Sequence, residues 1–228
     1  MKQKTVRGRL NRQEDPKLTV CLKKTKDHLK NMGHTSLSTV LFMVALTGYS
    51  QKKSLNFHIL RNGNKIGTVY FSKTTSGGID SLKVESTVKT KLVANITGRA
   101  LENAVFKNGI LVQSSIYREL NGDEKTNKQH RLDNGQYIIS KGKKSGVMKT
   151  YPITYTMLSL YSKEPENISK VYSDNFETFL VIEKIDAHKY KITLPDDNYN
   201  YYHYKNGVLS LVEVHHSLYS ANIVLVNN

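Results

Sequence analysis

The chain has 228 residues and a formal net charge of +15 at pH 7, with one cysteine and no tryptophan. A single cysteine excludes a fold held together by internal disulfide bonds, and the catalytic patterns G-x-S-x-G, H-E-x-x-H and the P-loop are absent. The informative features are therefore the apolar runs, the turns and the strand patterns.

Residues 1–31 form a basic extension with ten Lys or Arg, three acidic residues and the lone Cys21. These residues fit a basic arm for nucleic acid or an anionic surface. They also fit a translation start placed too far upstream, because initiation at Leu22 gives Met-Lys-Lys-Thr, a common opening of bacterial signal peptides. Initiation at Met32 is a third interpretation. We favour the second, in which residues 1–21 are not translated.

Residues 32–50 contain the apolar and cleavage regions of a predicted signal peptide. The apolar run Val40–Leu46 is too short for a membrane span, which needs roughly 20 residues, but suits a secretory signal. Gly48 and Ser50 supply the small residues before the cut. The basic region before the run consists of Lys23, Lys24, Lys26 and Lys30. We expect cleavage between Ser50 and Gln51 and no transmembrane anchor in the mature chain; a buried core helix is the alternative.

Residues 51–228 are predicted to form a single domain. This part has 24 basic and 16 acidic residues, a net charge of +8, and no cysteine. It is long enough to bury a core without disulfides. Its tyrosine, threonine, valine and isoleucine favour strands, so the composition indicates an all-β domain.

Asn-Gly pairs indicate tight turns in this domain. Three of the five have alternating apolar residues on both sides, and each predicts a hairpin: Asn62-Gly63, Asn108-Gly109 and Asn206-Gly207. The other two pairs are Asn121-Gly122 and Asn134-Gly135.

Two segments alternate clearly between apolar and polar residues. In one, Leu82, Val84, Val88 and Leu92 share a face opposite Lys83, Glu85 and Lys89; in the other, Tyr190, Ile192 and Leu194 lie opposite Lys189 and Lys191. Successive antiparallel strands without long crossovers predict a meander that curls into a barrel-like or strongly curved sheet.

One segment breaks this pattern and predicts a short helix near 152–162. Pro152 suits a first helical turn, and Ile153, Met157, Leu160 and Tyr161 follow at helical spacing. We expect this apolar stripe to pack against the open side of the curved sheet. A long loop with buried hydrophobic residues is the alternative.

Three stretches resemble a family of exported β-rich proteins from Bacteroidetes-type bacteria that is defined as a domain of unknown function. They are "LRNGNKIGTVYF", "YSKEPENISKVYS" and "LPDDNYNYYHYKNGVLSLVEV". The resemblance spans residues 55–226 and implies an exported β fold, but no catalytic residues.

Two clusters are candidate ligand-binding sites. Tyr199, Tyr201 and His203 share one face of a predicted strand, where aromatic rings beside lysines suit a sugar, a base or an apolar ligand. Lys141, Lys143 and Lys144 form a basic cluster for an anionic partner. Ordinary packing and a solvated hairpin tip are the simpler interpretations.

Metal binding and catalysis have weaker support. His203, Glu213 and His215 could share a face, but ordinary cross-strand contact explains them, and we predict no metal and no cofactor. No nucleophile, base and orienting group are indicated together. We therefore expect a non-enzymatic binding or structural protein of the periplasm or outer face of a Gram-negative bacterium. Its partner would be an apolar or anionic envelope component and not nucleic acid, because export removes the chain from the cytoplasm. An envelope hydrolase with an unrecognised site is the alternative.

Overall fold

A computed structural model describes residues 50–91 and 95–226. The predictions for residues 1–31, for the apolar run of residues 32–49 and for the inward face of Leu92 lie outside the described residues. The described part contains these strands and one helix: β1 Gln51–Arg61, β2 Asn64–Ser76, β3 Ile79–Lys91, β4 Asn95–Lys107, β5 Ile110–Leu120, β6 Asp123–Asp133, β7 Gln136–Lys141, β8 Lys144–Met148, α1 Ser159–Ser162, β9 Lys170–Ser173, β10 Thr178–Asp186, β11 Lys189–Thr193, β12 Tyr199–Lys205, β13 Val208–His216 and β14 Tyr219–Leu225.

All 14 strands of the described part lie in one sheet, and strands adjacent in the chain are adjacent in the sheet except between β8 and β9. β1 pairs antiparallel with β14, with Phe57 opposite Leu225, so two meanders join through the first and last strands of the described part. β8 and β9 are the two ends of the sheet and do not pair with each other, so the sheet is not closed. The structure confirms the predicted antiparallel, mainly β architecture.

The Asn-Gly turns determine where the strands reverse. Asn62 and Gly63 have φ angles of 49° and 77°, and the other four Asn-Gly pairs are likewise in the left-handed region. Two successive positive φ angles form a turn whose twist matches that of the flanking strands. The three predicted hairpins are confirmed, and the remaining two pairs close β5–β6 and β6–β7.

The predicted alternation also gives the observed faces. Leu82 and Val84 of β3 are 5% and 7% exposed, and Tyr190 and Ile192 of β11 are 2% and 0% exposed. Their side chains belong to one hydrophobic core on the inner face of the sheet. Because successive strand residues point to opposite faces, the intervening lysines face outward.

The connection between β8 and β9 differs in part from its prediction. Only Ser159–Ser162 is helical; residues 152–156 are not helical, and Met157 and Leu158 form a turn just before the helix, Leu158 with φ −68° and ψ −29°. The backbone of this stretch bonds to distant strands instead of to itself: Leu111 N donates to Ile153 O at 2.8 Å, and Tyr172 N donates to Tyr155 O at 3.0 Å. These long-range bonds replace the first turns of the predicted helix.

The connection packs inside the curve of the sheet, as predicted for its apolar residues. Ile153 and Leu160 are fully buried. Tyr161 stacks on Phe71 with 5.9 Å between ring centroids, and the Tyr204 hydroxyl donates to Leu160 O at 2.8 Å. The segment thus joins strands of both meanders. Over residues 50–91 and 95–226, none of the helical structure has the length and apolar character needed to cross a membrane.

Candidate binding cavity

A cavity of about 450 Å³ lies between the inner face of the sheet and the β8–β9 connection. Ligand sites in proteins typically have volumes of roughly 300–1,000 Å³. Inward-facing strand positions supply most of its wall, since alternate residues of each strand point to that face. Its aliphatic lining includes Ile59, Val69, Val84, Ile116, Leu158, Val214 and Ile223. The cavity can therefore hold an apolar group.

One ion pair lies in the cavity wall. Glu102 of β4 is opposite Ile116 of β5 in the strand register, which places Arg118 on the same face two residues along. Arg118 Nη2 lies 2.7 Å from Glu102 Oε1. Because the guanidinium already has a carboxylate partner, it is poorly placed to attract a second anion.

A buried carboxyl group lines the same cavity. Asp174 lies in the β9–β10 turn and accepts a hydrogen bond from the Ser114 hydroxyl. Burial raises the pKa of Asp174 to about 6. With Glu102 and Asp196, the lining holds three carboxyl groups and a single guanidinium, that of Arg118. The cavity is therefore acidic within a domain of positive net charge.

His130 lies behind Asp174 and is completely buried. Its Nδ1 is 3.3 Å from Asp174 Oδ1, yet neither ring nitrogen has a hydrogen-bond partner among the described residues. Burial lowers the pKa of His130 to about 4, so the ring is neutral at pH 7. Ser114 donates to Asp174 and not to His130. This order of contacts does not activate a serine nucleophile, which needs a base at its hydroxyl.

The predicted aromatic candidates lie outside the cavity. Tyr199, Tyr201 and His203 occupy alternate positions of β12 on the face opposite the buried Tyr202 and Tyr204. Tyr199 stacks on His215 of β13 with 4.6 Å between ring centroids. Cations cover the same tyrosines: Lys191 Nζ is 5.0 Å from the Tyr199 centroid, and Lys189 Nζ is 4.5 Å from that of Tyr201. These rings already contact one another, which matches the simpler interpretation.

His203 and His215 converge on one carboxylate. His203 Nε2 is 2.5 Å from Glu213 Oε1, and His215 Nε2 is 3.4 Å from Glu213 Oε2. Burial acts to raise the pKa of Glu213, but the contacts with both imidazoles outweigh it and hold this pKa below its usual value. Within the described ranges, no three His, Cys, Asp or Glu side chains are arranged to hold a metal ion.

The predicted lysine candidates are separate from the tyrosines. Lys141 and Lys144 line a groove of about 400 Å³ together with Glu177, whereas Tyr199 lines a different pocket. Lys143 is exposed in the two-residue turn between β7 and β8. The structure therefore brings Lys141 and Lys144 together and leaves Lys143 outside the groove.

The predicted cleavage position falls at the beginning of the sheet. Ser50 is exposed, and β1 begins at Gln51, whose partner in β2 is Thr75. Cleavage itself stays a prediction.

The most informative site residues are ones that the sequence patterns did not indicate. Glu102, Arg118 and Asp174 show no motif, and Ser114 and Asp174 are 60 positions apart in the chain. The feature that could have indicated the site is a pair of inward-facing charged residues, a glutamate and an arginine on the core side of adjacent strands. That signal requires the strand register, which the turn residues alone do not determine.

A family model described as a domain of unknown function, DUF6134, matches residues 57–226. No curated protein matches the chain in sequence. A crystal structure of a beta-barrel-like protein of domain of unknown function DUF1849 from Brucella abortus has a similar fold. The TM-score is 0.52 at 9% sequence identity, and the alignment covers 78% of this chain and 96% of that chain. At this identity the likeness concerns the fold alone, and it agrees with the barrel-like prediction.

Proposed function

The chain belongs to the DUF6134 family, and on that premise we propose that it is a non-enzymatic binding protein of the bacterial cell envelope. Its interior cavity would hold an uncharged, largely apolar envelope component. The observation that supports this most directly is the cavity of about 450 Å³, whose wall includes a group of aliphatic side chains. Aliphatic side chains around a preformed cavity are typical of sites for small apolar molecules.

The charges of the cavity separate the two ligand classes expected from the sequence. An anion would meet Glu102, Asp174 and Asp196, while the one guanidinium, that of Arg118, is already paired. Removing an anion from water without a cationic partner is unfavourable. The cavity therefore favours the apolar class, and an anionic partner would have to bind at surface lysines.

Matched substitutions on β3 test the cavity. Ser86 lines the cavity, whereas its neighbour Thr87 is exposed on the outer face. Ser86→Phe should fill the space, and Thr87→Phe should leave it open. The probe is N-phenyl-1-naphthylamine, an uncharged apolar fluorophore, titrated into each purified protein. We expect saturable binding to wild type and to Thr87→Phe, and a loss of about tenfold in affinity for Ser86→Phe, or about 1.4 kcal/mol.

The anionic analogue 1-anilinonaphthalene-8-sulfonate provides the charge control, and it should bind more weakly than the neutral probe. Equal binding of the neutral probe to both phenylalanine variants would contradict the cavity as its site. Mass spectrometry of ligands that co-purify with the native protein would then identify the natural class.

The envelope location is supported by sequence features: the basic residues up to Lys30, the apolar run Val40–Leu46 and the small residues Gly48 and Ser50. Expression in a Gram-negative host should yield a periplasmic protein that starts at Gln51, with the terminal glutamine free or cyclised. The intact mass checks this. A mass from the envelope fraction that retained residues 34–50 would overturn the export proposal.

An envelope hydrolase is a second candidate because two carboxyl groups of the cavity have different environments. Glu102 is ion-paired, whereas burial raises the pKa of Asp174 to about 6. A buried carboxyl group with a raised pKa, such as that of Asp174, is typical of a general acid. We expect no release of reducing ends from isolated cell-wall polysaccharide at pH 6. Release that disappears in Asp174→Asn would replace the binding proposal with hydrolysis.

A further inference from the structure

The two ends of the open sheet differ in how their backbone is covered. At one end, the β8–β9 connection runs beside β9: Thr156 forms a parallel bridge with Tyr172, and Met157 N donates to Tyr172 O at 3.0 Å. At the other end, β8 pairs with β7 alone among the described strands. An uncovered edge strand presents a row of free N–H and C=O groups that can pair with another chain.

The hairpin geometry identifies the free groups of β8. Lys141 pairs with Lys144 across a two-residue turn, and Ile139 pairs with Gly146. Along an antiparallel ladder, hydrogen-bonded pairs alternate with pairs that are not hydrogen-bonded. Since the pair that closes a two-residue turn is hydrogen-bonded, Lys144, Gly146 and Met148 bond to β7. The N–H and C=O groups of Ser145 and Val147 therefore point away from β7, toward the open edge.

A basic groove of about 400 Å³ follows this edge. Glu177 of the β9–β10 turn lies in it and is shared by two ammonium groups, with its Oε1 2.7 Å from Lys128 Nζ and 2.8 Å from Lys141 Nζ. Lys144 also lines the groove, and within the described ranges no carboxylate lies within 4.0 Å of its ammonium group. Lys141 and Lys144 thus line the groove with a single carboxylate, that of Glu177, which also contacts Lys128, so the groove has an excess of positive charge.

We propose that the β8 edge and its groove bind an extended acidic peptide segment of a partner protein. The peptide would pair in the manner of an added strand with Ser145 and Val147, and its acidic side chains would contact Lys144. Val147, which is 59% exposed on the outer face, would contact the alternate, apolar side chains of the same peptide. The proposal is independent of the interior cavity.

The charges distinguish an acidic partner from a second copy of this chain. Pairing two β8 edges would join two basic edge strands, and lysines on edge strands oppose such self-association. An acidic strand meets the same lysines with opposite charge, and opposite charges across a strand pair are stabilising. Charge complementarity therefore favours the acidic peptide.

The test uses a synthetic, end-blocked peptide of alternating glutamate and valine, titrated by calorimetry into the purified protein. Val147→Pro removes one free-edge N–H without removing a bond to β7, and proline is tolerated at such edge positions. Val147→Ala is the matched control that keeps the N–H. We expect Val147→Ala to bind within about threefold of wild type and Val147→Pro to lose detectable binding.

Charge is tested on the same edge. Lys144→Gln should weaken binding by about fivefold, the size of one partly exposed ion pair. A peptide of alternating lysine and valine should not bind. Equal binding of the lysine and glutamate peptides would overturn the role of the groove.

Two further outcomes would overturn the proposal. One is binding to Val147→Pro as tight as to Val147→Ala, since the peptide would then not pair with the edge. The other is a dimer in sedimentation experiments that Val147→Pro abolishes, since the occupant would then be a second copy. If Val147→Pro does not fold, amide hydrogen exchange of wild type decides: Ser145 and Val147 should gain protection when the glutamate peptide is added, and unchanged exchange would overturn the pairing.

Discussion

Four tyrosines of β12 occupy two different environments within six residues. Tyr202 and Tyr204 are 4% and 6% exposed in the core, whereas Tyr199 and Tyr201 lie on the outer face. The inner hydroxyl of Tyr204 has a backbone partner, Leu160 O at 2.8 Å. The outer rings instead contact cations and His215. On this strand, the residue type sets the available contacts, and the position along the strand, which decides the face, determines which contacts are made.

The same division extends to β3, where Val84 is 7% exposed and Lys83 forms an outer-face ion pair with Glu85. Val84→Lys should give the largest effect, because it would bury an ammonium group opposite Glu102, whose carboxylate is already paired with Arg118. We expect a loss of several kcal/mol, a large part of the roughly 5–15 kcal/mol that stabilises a typical domain. Lys83→Val should change the free energy of unfolding by no more than about 0.5 kcal/mol. Equal urea midpoints for the two variants would contradict the division into faces.

A smaller loss of stability is expected when a tyrosine hydroxyl is removed from the inner face of β12, and a smaller loss still when one is removed from its outer face. Tyr204→Phe leaves the buried Leu160 carbonyl without its donor, which should cost about 1–3 kcal/mol. Tyr201→Phe removes an outer-face hydroxyl and should cost no more than about 0.5 kcal/mol. Chemical denaturation of both variants measures the difference. A Tyr204→Phe domain as stable as Tyr201→Phe would show that the inner hydroxyl does not need its partner.

The sequence was sufficient to predict which strand side chains face inward, because that direction alternates from one residue to the next and can be read from a short stretch. Alternation around Val84 and Tyr190 and the Asn-Gly turns predicted strands, hairpins and the inner face. The predicted short helix is present but covers only Ser159–Ser162. Residues 152–156 are not helical although their apolar spacing suits a helix, because their backbone bonds are made with Leu111 and Tyr172, far away in the chain. Helical spacing describes side chains and does not report where backbone partners lie.

The cavity could not be predicted for a related reason. The β4–β5 register shifts between Val105 and Phe106, next to the Asn108 turn. Counting from the turn alone would place Glu102 opposite Ser115, whereas the bulge places it opposite Ile116. A one-residue shift reverses the faces of a strand relative to its neighbour. The Glu102–Arg118 pair therefore depends on a bulge that the turn residues do not predict.

A third prediction concerns pH and the inner face. The raised pKa of Asp174, about 6, means that this group contributes stability below its unfolded value of 3.8, and the contribution is lost as pH rises through about 6. The lowered pKa of His130, about 4, means that its contribution is present above 6.5 and lost as pH falls through about 4. The two groups oppose each other between about pH 6 and 4.

Single substitutions should reveal how each group changes the free energy of unfolding with pH. On acidification from pH 6 to 4, Asp174→Asn should lose more stability than wild type, and His130→Leu should lose less. Each difference should approach about 1.4 kcal/mol per pH unit at most, the value for one proton. Urea unfolding across this range measures both slopes. Parallel curves for the two variants and wild type would show that burial does not shift these groups.

The smallest expected effect is on the outer face, at the contact between Lys191 and Tyr199. Lys191 Nζ is 5.0 Å from the ring centroid, a distance at which a cation and an aromatic face attract by about 0.5–1 kcal/mol at exposed sites. A double-mutant cycle with Lys191→Gln and Tyr199→Leu isolates this term, because the stacking of Tyr199 on His215 is lost in both variants that lack the tyrosine. The coupling energy from urea unfolding should fall in that range and be well below the effect of Tyr204→Phe. A coupling of zero would mean that the outer tyrosines are only solvated neighbours of the lysines, and a coupling as large as the inner effect would remove the distinction between the two faces of β12.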